Sequence, residues 1–198
     1  MKAFYIIGAI GMVFLLIQSY QLLSNSLKTE TQKYRTVFKD ALYEIRFYPA
    51  ATFATITSSG TNYKSVASSG FRKLAGYIFG GNEQKQSIAM TAPVRMEMTD
   101  KGSTMSFVMP EKYKESDLPK PNDSGVQIVK SSPQYVAAIT FGGYADDAKI
   151  KENRDALLKI LQEKGIVVSG EYSFLGYNAP YQFWNRKNEV VIPIVWKE

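Results

Sequence analysis

The chain contains no cysteine and no histidine among its 198 residues. Those two absences exclude more chemistry than any motif in the sequence. They remove thiolate and imidazole nucleophiles, Cys/His zinc sites and any histidine general base. Disulfides are excluded as well, so cysteine usage says nothing about redox compartment. An iron ligand from this chain would have to be Met, Tyr, Lys or a carboxylate. Charge of one sign is not gathered into blocks either. The net charge is +6, but cations alternate with acids, as in Lys149-Ile150-Lys151-Glu152-Asn153-Arg154-Asp155. That pattern reads as a solvated mixed surface and not as the basic stripe of a nucleic-acid binder.

What is present is apolar and aromatic. Hydrophobic residues make up 45% of the sequence, with thirteen Tyr and eleven Phe, enough for one domain with a real core. Lys2 is followed by an unbroken apolar or Gly run from Ala3 to Ile17, with Leu22 and Leu23 beyond. As a helix, residues 3–23 span about 31 Å, the thickness of a bilayer core. Residues 1–29 are therefore expected to be a single-pass membrane anchor with the domain exported, or alternatively a cleaved signal leaving a secreted protein. Residues 30–198 form the remaining domain, expected to be monomeric.

Period-two alternation marks strands. It is clearest at Tyr43-Ile45-Phe47, Val94-Met96-Met98 and Met105-Phe107-Met109, with further candidates at 52–57, 126–130, 134–141, 170–175 and 190–195. Helical period takes over at Tyr63, Val66, Ala67, Gly70, Phe71, Leu74 and Ile78, which Gly80-Gly81 ends. It returns at Ile150, Leu157, Leu158 and Leu161, with Asp146 or Asp147 at the start and Gly165 as the stop. The order is two strands, helix, two strands, then the same again. Residues 49–57 echo residues 133–140, and Ala92-Pro93 echoes Ala179-Pro180. The expectation is an α+β fold: two pseudo-symmetric ββαββ halves forming a distorted, barrel-like eight-strand sheet with two flanking helices, preceded by the N-terminal apolar helix. The cleft between halves is the natural ligand site.

Six stretches together resemble the SOUL family of haem-binding proteins. They are Tyr43-Glu44-Ile45-Arg46, Ile88-Ala89-Met90-Thr91-Ala92-Pro93-Val94, Phe107-Val108-Met109-Pro110, Phe141-Gly142-Gly143-Tyr144-Ala145, Gly176-Tyr177-Asn178-Ala179-Pro180 and Arg186-Lys187-Asn188-Glu189-Val190. The resemblance implies a two-half distorted barrel and non-enzymatic binding of haem or a related tetrapyrrole, as carrier or buffer. It places the ligand in a shallow apolar groove beside the 63–79 helix and the loop from Tyr177 to Phe183. Where some members are thought to use a His on iron, this chain has none, so haem or porphyrin would bind non-covalently and mainly by apolar contact.

On that implication, Ala67, Phe71 and Ala75 form an apolar stripe, Lys64 and Arg72 meet two propionates, and Tyr177 and Tyr181 form a lid. No metal ligand set and no catalytic set is expected. Gly142-Gly143 reads as a turn feeding a helix, since it lacks the spacing and Lys of a phosphate loop. One rival reading is an enzyme using Glu171 or Tyr177 as an acid–base group. Another is an interaction or small-molecule effector-binding scaffold without haem.

Overall fold

The apolar positions of the sequence are assembled, in a computed structural model, into an antiparallel sheet covered by two helices. The structure describes Met12 and residues 29–197; the candidate anchor over residues 3–23 otherwise lies outside them. Among the described residues, no helix is long and apolar enough to cross a membrane. The contacts divide the chain into residues 1–30 and residues 31–198. The large sheet and the two helices that cover it belong to the second unit.

The strands are β1 (Glu30–Thr31), β2 (Arg35–Lys39), β3 (Glu44–Tyr48), β4 (Thr52–Ser58), β5 (Thr91–Ala92), β6 (Val94–Thr99), β7 (Gly102–Val108), β8 (Val126–Lys130), β9 (Gln134–Gly142), β10 (Ser173–Gly176) and β11 (Lys187–Ile194). The helices are α1 (Tyr63–Ile78) and α2 (Asp147–Glu163). Nine strands form one sheet in the order β2-β3-β9-β11-β10-β6-β7-β4-β8, and β1 pairs separately with β5.

The repeat read from the sequence is visible in this order. Exchanging β3 with β8, β4 with β9, β6 with β10 and β7 with β11 reverses the row of eight strands onto itself. The pseudo-twofold axis therefore passes between β6 and β10, which pair from Val94↔Gly176 to Glu97↔Ser173. Two expectations are corrected. The sheet has nine strands, because β2 adds to the outer edge of β3. It is also not closed into a barrel, because β2 and β8 end the row without pairing to each other. β2 gives little sequence signal, since its register shifts between Thr36 and Phe38 and so spoils the alternation. The Ala-Pro echo is not a structural equivalence either: Ala92-Pro93 leads into β6, whereas Ala179-Pro180 follows β10.

The open sheet is nevertheless strongly curled. β3 and β4 stand six places apart, about 29 Å in a flat sheet, yet only residues 49–51 join them. Four residue steps reach at most about 14 Å. Residues 131–133 impose the same demand on β8 and β9. The two linkers meet, with Ser131 N–H donating to the Ala51 carbonyl at 2.9 Å.

Strand alternation sends each face to a different core. Ile45, Met96, Phe107, Val190 and Ile192 face the helices and pack with Val66, Leu74, Tyr77, Ile78, Leu157 and Leu161. Tyr48, Val136, Ala138, Leu175 and Val191 form a second, smaller cluster on the opposite face, which is helix-free among the described residues. Helix ends follow local chemistry. The Asn62 side chain accepts from Ser65 N–H, and that of Asp146 from Lys149 N–H. Gly165 stops α2 at φ 66°, while Ile166 N–H bonds the Leu161 carbonyl. Asp147 does not cap its own helix: its carboxylate accepts from Tyr63 N–H at 2.6 Å and Lys64 N–H at 3.3 Å. That contact ties the start of α2 to the start of α1.

Candidate functional site

α1 presents Lys64, Ser68, Arg72 and Gly76 to solvent. Ala67 and Phe71 lie half-buried at the margin of the helix-side core, and the Phe71 ring meets buried Phe107 edge-on at 5.3 Å. Ala75 is buried, at 9% exposure. The outer face of α1 is thus narrower in apolar content than its sequence period suggested, since the period marks the buried stripe.

The loop after β10 begins on the helix-free side. Tyr177 packs in the second cluster, and its hydroxyl donates to Glu189 at 2.6 Å. The sheet therefore separates Tyr177 from the α1 stripe. Tyr181 behaves differently. With its neighbours Phe183 and Trp184 it is exposed, at 68%, 71% and 57% respectively. The loop carrying these rings is pinned: Arg186 Nη1 donates to the carbonyls of Ala179 and Gln182. Tyr144 adds a hydrogen bond to the Pro180 carbonyl at 3.3 Å, and its ring sits under the Arg186 guanidinium, 4.3 Å from it. Tyr63, at the start of α1, feels the same Arg186 charge, although burial has the larger effect and raises its phenol. Arg186, which pins the aromatic loop, thus lies within electrostatic reach of Tyr63 at the start of α1.

A cleft of about 600 Å³ lies elsewhere, on the helix side beside α2, with Arg154, Leu158, Glu171, Tyr172 and Asp100 in its lining. Glu171, one of the two acid–base candidates, is at its edge. Tyr177, the other, is on the opposite face of the sheet, so the two do not share a site.

The residues that the sequence did not single out sit on the helix-free face. Arg46 grips Glu189 through both terminal nitrogens at 2.8 and 2.9 Å and bonds Glu44 through Nε at 2.8 Å. Thr140 and Lys187 complete the Glu189 contacts, at 3.1 and 3.0 Å, and Arg46 stacks 4.2 Å over the Tyr34 ring. Arg46 is 3% exposed and Glu189 is 0% exposed. Burial alone would raise the Glu189 carboxyl, but the bonds from Arg46 and Tyr177 outweigh it and hold the group down to about 2. Burial opposes the Arg46 charge too, and Glu189 more than restores it, leaving the guanidinium more basic than usual. Tyr177 is pushed the other way, upward, by burial and by the Glu189 charge.

A depressed carboxyl stabilises the fold above its unfolded value and loses that contribution as pH falls through its folded value. Here the window runs from about 4.5 down to about 2. Urea midpoints should fall across this window in the natural chain and fall much less in Glu189→Gln. Parallel slopes in the two proteins would remove Glu189 as the cause.

The curled antiparallel sheet, the twofold repeat and the helices on one face define the class of the fold, an α+β domain of two like halves. Within it, the chain belongs to the SOUL family: the model of the SOUL heme-binding protein family matches residues 29–193. The chain is 33% identical to mouse heme-binding protein 2 over 156 residues, covering 75% of this chain and 76% of that one. It is 26% identical to bovine heme-binding protein 1, covering 85% and 95%. Among solved structures, the C-terminal domain of EcmrR superposes with a TM-score of 0.58 at 8% identity, covering 82% and 98%. A Listeria innocua structure described as a hydrolase superposes at 0.56 with 10% identity, covering 87% and 96%. At such identities these two likenesses speak for the fold alone.

Proposed function

We propose that the chain binds haem or a related tetrapyrrole without catalysing a reaction, as a carrier or buffer. The observation that carries this reading is the pinned loop holding Tyr181, Phe183 and Trp184 in water. Large aromatic surface normally goes into the core or against a partner, and here the fold spends hydrogen bonds to keep it outside. The ligand would lie between this loop and the N-terminal half of α1, over Ala67 and the exposed edge of Phe71. Lys64 and Arg72 stand eight residues apart, about 12 Å along the helix, and would meet the propionates separately. Ala75 and Tyr177 support the walls from behind instead of touching the ring.

The donor set fits a flat apolar body better than a strong iron ligand. His and Cys are absent from the sequence. The Tyr177 oxygen is committed to Glu189, which leaves Tyr181 as the tyrosine oxygen available on the loop. Bound haem would supply its own redox chemistry; the residues of this chain hold and orient it. Tethering through the apolar run of residues 3–17 would keep the carrier at a membrane.

The test is a titration of the full chain with haemin and with metal-free protoporphyrin IX, following the Soret band and tryptophan fluorescence. Both should saturate below about 10 μM, roughly −7 kcal/mol, with affinities within a few-fold of one another. Failure of both to saturate would overturn the reading, and strong preference for haemin would overturn the absence of a strong axial ligand.

A further inference from the structure

Among the described residues, Arg95 on the helix-free face has two buried donors with no acceptor. Arg95 lies on β6, with Leu175 as its neighbour on β10 and Ser106 on β7. Its Nε and Nη2 atoms are buried and make no hydrogen bond. The Tyr48 hydroxyl, on a side chain only 2% exposed, also reaches no acceptor; burial raises its phenol, and the nearby Arg46 guanidinium offsets this only in part. The Arg95 guanidinium stands 5.7 Å from the Tyr48 ring and 5.9 Å from the Phe53 ring. Those rings belong to β3 and β4, four and two places from β6 in the sheet, so three distant strands converge on this point.

Arg46 shows what such a group normally does here: all three of its nitrogens reach carboxylates of the chain. Arg95 has no such partner. Glu97, two residues along the same strand face, is exposed and forms no ion pair with it; partial desolvation of the Glu97 carboxyl raises it more than the Arg95 charge lowers it. Burying donors of a charged group without acceptors is destabilising, and native proteins rarely leave them so.

We infer that Arg95 and Tyr48 form a second binding site, on the helix-free face, for a small monocarboxylate with an apolar body. The chemistry follows from which atoms are free. Nε and Nη2 are the two parallel donors along one edge of the guanidinium, matched in spacing to the two oxygens of a carboxylate. The Tyr48 hydroxyl adds a third donor nearby. Phe53 and Tyr48 offer apolar walls, and Ser106 and Thr55, paired across β7 and β4, carry short side chains. Entry is from the end where Glu97 and Thr57 are exposed. Glu97 repels the incoming anion and so limits affinity.

Benzoate is the probe, added to the full chain at constant ionic strength, with methyl benzoate, chloride and inorganic phosphate as controls. Benzoate should saturate a site below about 1 mM, roughly −4 kcal/mol, and should shift an arginine Nε–H resonance that is missing from Arg95→Met. Arg95→Met should weaken binding at least tenfold, Tyr48→Phe a few-fold, and Glu97→Gln should strengthen it. If Arg95→Met fails to fold, the Tyr48→Phe and Glu97→Gln affinities and the Nε–H shift decide alone. Equal benzoate binding in Arg95→Met, no saturation by 10 mM, or the same response to chloride or phosphate would overturn the assignment; the last would mark an adventitious ion only.

Discussion

Arg46→Met is expected to destabilise the domain by about 3–5 kcal/mol, because it leaves a buried carboxylate without its partner. Glu189 has zero exposure and takes two of its hydrogen bonds from Arg46, so no rotamer returns it to water. The double variant Arg46→Met/Glu189→Leu should recover most of the loss, since removing both charges avoids the desolvation that the pair has to offset. Tyr177 would then lose its acceptor, which is why recovery should be incomplete. Urea unfolding of the natural chain, the single variants and the double variant closes the cycle. A single-variant loss under about 1 kcal/mol, of the size found for exposed pairs, would mean that solvent reaches this cluster. The exposed pairs Lys33–Glu111 and Lys151–Asp155 are the natural controls, and their removal should change little.

Phe183→Asp together with Trp184→Asp should weaken both haemin and protoporphyrin IX at least tenfold, about 1.4 kcal/mol or more. Both rings are more than half exposed, so the fold should tolerate the exchange while the ligand loses its apolar wall. Lys64→Glu with Arg72→Glu should separate charge from area. It should weaken haemin strongly and leave the dimethyl ester of protoporphyrin nearly unchanged. Equal losses for acid and ester would show that these cations do not read propionates. Phe71 is a poorer place for the same experiment. Its ring leans on buried Phe107, so a carboxylate there would damage the core as well as the groove.

Local physics was legible in the sequence. Both helices fall where the period puts them, and the second starts and stops at Asp146 and Gly165, which act on backbone groups within a few residues; the Asn62 cap of the first emerged only in the structure. The duplication was legible too, since alternation and helical period repeat, and the sheet order has the symmetry that this repeat requires. The family could be read from six short stretches for the same reason: each is a run of neighbouring residues.

Tertiary structure alone decided which side chains meet. Arg46 and Glu189 both lie in stretches that mark the family, but 143 positions separate them, and alternation could say only that each faced the polar side. Tyr177 looked like a companion of α1 because both border the expected groove. Strand direction instead turned it through to the helix-free face, onto Glu189. Ala75 followed the apolar stripe inward, because helical period marks what is buried and not what binds. Closure of the sheet also lay beyond sequence. Two three-residue linkers force the curl, but pairing of the edge strands depends on groups far apart in the chain. Arg95 shows the limit most plainly: nothing local marks a guanidinium with two buried, unaccepted donors until β3, β4 and β6 are brought together around it.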